Sequence, residues 1–101
     1  MKYPSEVTFD WDDAKNELLK RTRGVSFEEI VIAIEAGNVV DVLDHPNPGR
    51  YANQQVYLVR HRHYVFVVPF VRGPSKNEIT LKTIYPSRKY TRQYLRDGGN
   101  R

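Results

Sequence analysis

The chain has 101 residues, 40% of them hydrophobic and 28% charged, with a formal net charge of +4 and no cysteine. That length fits one domain with a single buried core, and the lack of thiols excludes disulfides and thiolate metal sites. No apolar run approaches the roughly 20 residues that a membrane-crossing helix needs, and the opening "MKYPSEVTFDWDD" carries no apolar signal region.

A soluble, cytoplasmic domain spanning residues 1–101 is therefore expected, with residues 97–101, "DGGNR", read as a frayed tail. The charge is unevenly divided. Residues 1–44 carry ten acidic and five basic side chains; residues 45–101 carry eleven basic ones against Glu78 and Asp97. Such asymmetry points to a polyanion partner for the second half. The plainer reading is that the halves attract each other, but nine net positive charges exceed what five negative ones neutralise.

In chain order, Val7–Phe9 reads as a short extended piece. Asp10 or Asp12 can cap a helix carrying Trp11, Ala14 and Leu18 at helical spacing, with Leu19 widening that face. Lys20, Arg21 and Arg23 load its last turn and Gly24 stops it. "VSFEEIVIAIEAG" predicts a second helix: Ser26 and Glu29 form a capping box, Val25 and Ile30 a hydrophobic staple, and Phe27, Ile30, Val31 and Ile34 an apolar face ending at Gly37. "NVVDVLDHPNPGRYANQQ" reads mainly as a loop, with a short strand near Val39–Val42.

Val56–Arg60 and Tyr64–Val71 read as two strands joined by a tight turn, with Pro69 marking an edge or a bulge. "EITLKTIYP" is a third strand, and "SRKYTRQYLR" a closing helix capped by Ser87 and docked through Tyr90, Thr91, Tyr94 and Leu95. The sum is an α+β domain: a short N-terminal strand, two helices, a three-stranded antiparallel sheet and a C-terminal helix. The helices are expected segregated to a face, and a sheet of this kind can leave one face open to water or a ligand.

Strict alternation over Ile79–Tyr85 puts Ile79, Leu81, Thr83 and Tyr85 on one face, and Lys82 with Thr80 and Ile84 on the other. Arg88 and Lys89 follow at the start of the last helix, where cations oppose the macrodipole. Lys82 as a point charge and Arg88 as a fork of donors suit one phosphate. A solvated basic helix end is the alternative.

"RHRHY", Arg60–Tyr64, reads as a basic hairpin tip suited to a nucleic-acid backbone; His61 and His63 alone give no third metal ligand nearby, so no metal is expected. His45 lies in a loop, where an imidazole can move protons near neutral pH or simply order the loop. Arg50 and Tyr51 can contact a phosphate and stack on a base, or form an ordinary surface. No phosphate-binding glycine loop, carboxylate pair or Ser-His-Asp set is present, and no cofactor is expected.

With these residues in view, "FDWDDAKNELLKRTRGVSFEEI" resembles the opening of BrnT-type toxins of the wider RelE-like ribonuclease group, and "YPSRKYTRQY" resembles their last strand-to-helix element. The resemblance implies a RelE-like fold and a type II toxin that cleaves mRNA or ribosome-associated RNA without a metal. It further implies neutralisation by a cognate antitoxin, typically a ribbon-helix-helix DNA-binding protein, with a homo-oligomer or a hetero-oligomer with the antitoxin as the expected assembly. The chain departs from the family where "NPGRY" replaces its usual basic motif.

The catalytic candidates are Arg88 and Lys82 on the phosphate, Arg72 or Arg50 assisting, and His45 or a tyrosine such as Tyr85 as proton carrier. The RNA-binding candidates are Arg50, Tyr51, Arg60, Arg62, Lys89 and Arg92. Two rivals stand beside this reading: a module that binds nucleic acid without cutting it, and a basic surface that meets only an acidic protein partner.

Overall fold

The structure, a computed structural model, describes residues 7–44, 49, 54–73, 75 and 77–96. The order is β1 (Thr8–Asp10), α1 (Asp13–Arg23), α2 (Phe27–Glu35), β2 (Val39–Asp44), β3 (Gln54–His61), β4 (Tyr64–Arg72), β5 (Glu78–Leu81), β6 (Tyr85–Pro86) and α3 (Arg88–Thr91), continued by a π-helical turn, Arg92–Arg96. The fold is α+β. None of the described helices is long and apolar enough to cross a membrane.

The helix boundaries follow local chemistry. The Asp12 carboxylate accepts from the Lys15 N–H, and Gly24 closes α1 in the left-handed region at φ 66°. Ser26 and Glu29 form the expected reciprocal box on α2, with the Glu29 N–H donating to Ser26 Oγ at 3.1 Å. Ser87 caps α3 by accepting from the Tyr90 N–H. Each cap satisfies an N–H that the first turn leaves without a helical partner.

The buried face of α1 differs from the periodic expectation. Leu18 is 41% exposed, and Asn16 and Leu19 are the buried residues instead. Asn16 explains the rotation: its Nδ2 donates to Glu28 Oε1 and its Oδ1 accepts from the Phe27 N–H, both at 2.8 Å. A polar side chain that satisfies two groups of the next helix fixes which way α1 turns.

The sheet runs β1-β5-β4-β3-β2, with β6 also on β4. It is mixed and six-stranded rather than three-stranded and antiparallel, because β1 adds parallel to β5, β2 adds antiparallel to β3, and the third predicted strand is split into β5 and β6. Both faces are covered, which corrects the expectation of one open face. On one side Tyr57, Val59, Phe66, Val68 and Phe70 pack with Phe27, Ile30 and Ile34 of α2 and Leu19 of α1. On the other, Val56, Leu58, Val65 and Val67 pack under Tyr90, Tyr94 and Leu95. The reason lies in the strands themselves: "VYLV" and "VFVVPF" are apolar at consecutive positions, so burying one face alone would leave the other apolar face in water.

Pro69 sits in a central strand and is buried, so the edge expectation is replaced by the bulge. Its carbonyl accepts from the Lys82 N–H at 2.8 Å, while Lys82–Ile84 leave the ladder between β5 and β6. Proline has no N–H to give on that side, and the ladder breaks where the donor is missing.

Candidate nucleic-acid interface

The break beside Pro69 re-phases the strand that carries the basic residues. Leu81 lies opposite Phe70 and Tyr85 opposite Val67, so four steps along β5–β6 match three along β4. The extra residue is a β-bulge. Its consequence is visible in the core, where Ile84 joins Ile79 and Leu81 in one buried cluster. Strict alternation would have put Ile84 on the opposite face. The same shift moves Tyr85 to the side of Lys82, which it was expected to oppose.

The register now orders three candidates along one margin of β4. Lys82 is bonded at Pro69, Tyr85 pairs with Val67, and Ser87 donates its N–H to the Val65 carbonyl just before Arg88. Two strand residues span about 7 Å, so Lys82, Tyr85 and the start of α3 follow one another at about that spacing along the margin. All three are exposed, and Tyr85 shows 41% of its surface. Neither the Lys82 nor the Arg88 side chain makes a hydrogen bond or ion pair among the described residues. Lys89 lies over the Tyr90 ring at 5.3 Å, and Arg92 is exposed on the π-helical turn.

A residue from far away in sequence supports the bulge. Arg23, in the last turn of α1, donates from Nη1 to the Ile84 carbonyl at 2.7 Å. Read as sequence, Arg23 was one of three cations loading a helix end. Nothing in "KRTRG" marks which of them crosses to the bulge 61 positions later.

Other candidates lie elsewhere. Arg72 is on the α1–α2 side of the sheet, with its Nε donating to Gln55 Oε1 at 3.1 Å and its guanidinium 5.5 Å from the Phe70 ring centroid. It therefore does not assist Lys82 and Arg88, and this corrects its assignment. Arg62 is committed within the chain: Nη1 donates to the Gly24 carbonyl at 2.9 Å and Nη2 to Glu29 Oε2 at 2.6 Å. It clamps the hairpin tip to the α1–α2 junction instead of standing free for RNA. His45, Arg50 and Tyr51 lie outside the described residues.

The tip itself is a two-residue turn, Arg62–His63, with both residues in the left-handed region at φ 57° and 61°. Between it and the π-helical turn lies an open cleft of about 740 Å³. Arg60, His61, Arg62 and His63 line it from the hairpin, and Tyr94 and Leu95 from the C-terminal segment. His61 Nε2 is shut from solvent without a hydrogen-bond partner among the described residues, 3.7 Å from Glu29 Oε1.

No family model matches the chain, and neither the curated proteins nor the solved structures give a match.

Proposed function

We propose that this protein is an endoribonuclease toxin of a type II toxin–antitoxin pair, similar to the BrnT-type toxins and built on a RelE-like plan. One observation carries the reading: the bulge opposite Pro69 sets Lys82, Tyr85 and Arg88 along one exposed margin, with no acidic side chain paired to either cation among the described residues. Exposed, uncompensated cations beside an aromatic hydroxyl suit a phosphodiester better than they suit a structural role.

Metal-independent RNA cleavage uses the 2′-OH as nucleophile. The protein must hold it in line with the leaving oxygen, remove its proton and stabilise the pentavalent phosphorus. In this reading Arg88 and Lys82 neutralise the non-bridging oxygens, the 2′-OH proton passes to water as the 2′-oxygen attacks phosphorus, and the Tyr85 hydroxyl donates a proton to the leaving 5′-oxygen. The products are a 2′,3′-cyclic phosphate and a 5′-hydroxyl. Lys89, the next residue, and Arg92, one helical turn beyond Arg88, hold the flanking backbone. A ribbon-helix-helix antitoxin would neutralise the toxin by covering the same basic margin, and the pair would act in the cytoplasm.

The test is expression of the chain in a bacterial host with and without the short reading frame beside its gene. Growth arrest that the neighbour relieves, together with fragmentation of cellular RNA, is the expected result. Undisturbed growth and intact RNA at high expression would overturn the proposal. Purified protein that binds RNA and leaves it whole would favour the non-catalytic module.

A further inference from the structure

The cleft at the hairpin tip is separate from the Lys82–Arg88 margin, and the cleavage chemistry does not use it. Its size falls within the range of small-molecule sites, and no acidic side chain lines it among the described residues. The Arg60 and His63 side chains are exposed and make no hydrogen bond or ion pair among the described residues. Tyr94 and Leu95 supply an aromatic and an aliphatic wall.

The turn that presents His63 is an unusual choice. A two-residue hairpin with both central residues left-handed favours Asn-Gly or Asp-Gly, because side chains beyond Cβ crowd the backbone there. This chain places Arg62 and His63 at those positions. Arg62 has a structural reason, since it bonds Gly24 and Glu29. His63 makes no such contact among the described residues, so its side chain is exposed at the cleft without a structural commitment. The Arg62 clamp also fixes the tip, so that Arg60 and His63 are held ready and not ordered on binding.

We propose that this cleft is a second RNA subsite, in which Arg60 and His63 hold a backbone phosphate and the Tyr94–Leu95 wall receives the attached nucleoside. The inference rests on the RNA reading above and extends it. Along β4, Arg60 is level with Val65, the residue whose carbonyl receives the Ser87 N–H. One strand can therefore pass the Lys82–Arg88 margin and reach the cleft around the start of α3. Aromatic stacking and backbone charge are the usual means of holding single strands.

The test uses the full chain and a short single-stranded RNA with 2′-O-methyl groups, which cannot be cleaved through its own 2′-OH. Affinity is followed by fluorescence anisotropy across a salt series. Arg60→Gln should weaken binding about tenfold and make the log–log salt slope shallower by about 0.7. His63→Gly should weaken binding as well, while its urea midpoint stays level or rises, because glycine accepts the left-handed backbone. Wild-type binding with both variants equal to it overturns the subsite alone. Wild-type protein that binds no RNA overturns the subsite and the ribonuclease reading together. Arg60→Gln, an exposed substitution, decides the matter by itself if His63→Gly fails to fold.

Discussion

The Tyr94 hydroxyl donates a 2.8 Å hydrogen bond to Asp41 Oδ2, tying the π-helical turn after α3 to the edge strand β2. The contact spans 53 positions of sequence and helps hold the C-terminal segment over Val56, Leu58, Val65 and Val67. A segment whose helix proper is only four residues long needs such anchors, because short helices gain little from their own backbone bonds.

Tyr94→Phe should lower stability at neutral pH by about 1 kcal/mol, a typical net value for one hydrogen bond. The Asp41 carboxylate, as hydrogen-bond acceptor, is the main cause that raises the Tyr94 pKa above the ordinary tyrosine value. The folded state therefore favours the neutral phenol, and its contribution is fully present below the ordinary tyrosine pKa. It is lost as the pH climbs through the raised folded value. Urea midpoints of the two proteins should converge in the alkaline range, whereas a gap that persists there would contradict this role for Tyr94.

Asn16→Ala should be the more damaging change, at about 1–3 kcal/mol, because it strips the Phe27 N–H of its partner inside a buried joint. The same asparagine is the main cause that holds the Glu28 carboxyl below the ordinary carboxylate range. Stabilisation from that charged form is present above the ordinary pKa and lost as the pH falls through the depressed folded one. Thermal melting of Glu28→Gln between neutral and acid pH should show a flatter acid limb than wild type. An acid limb identical to that of wild type would remove Glu28 from the balance.

Arg23→Ala tests the bulge. Its guanidinium reaches the Ile84 carbonyl from behind the cationic margin, so it acts by positioning Lys82 and Tyr85 and not by touching RNA. Small displacements of reacting groups can cost up to about 10² in rate. The variant should lose at least about tenfold in RNA cleavage, with RNA affinity within a factor of about two. Equal loss in both would mean that Arg23 is a binding cation and not a positioning one.

Much of the frame was readable from short-range chemistry. Ser26–Glu29, Asp12, Ser87 and Gly24 announce helix ends by side-chain hydrogen bonds or backbone freedom within a few residues, so their effect appears in the sequence itself. The phase of Ile79–Tyr85 was not readable, because it depends on Pro69, which meets Lys82 only after the strands have paired. The cleft escaped for a similar reason. It joins residues 60–63 to Tyr94 and Leu95, and no local pattern encodes that meeting. The second covered face was present in the apolar runs of β3 and β4, and the alternation rule alone concealed it.

The most direct measurement is cleavage of a defined single-stranded RNA by the purified chain in the presence of a chelator, comparing wild type with Arg88→Ala and Lys82→Ala. Wild type should yield 2′,3′-cyclic phosphate ends, and Arg88→Ala should slow the reaction about 10²–10³-fold without loss of fold. Cleavage by Arg88→Ala at the wild-type rate, or no cleavage by wild type alone or with ribosomes, would contradict the assignment of this margin as a ribonuclease site.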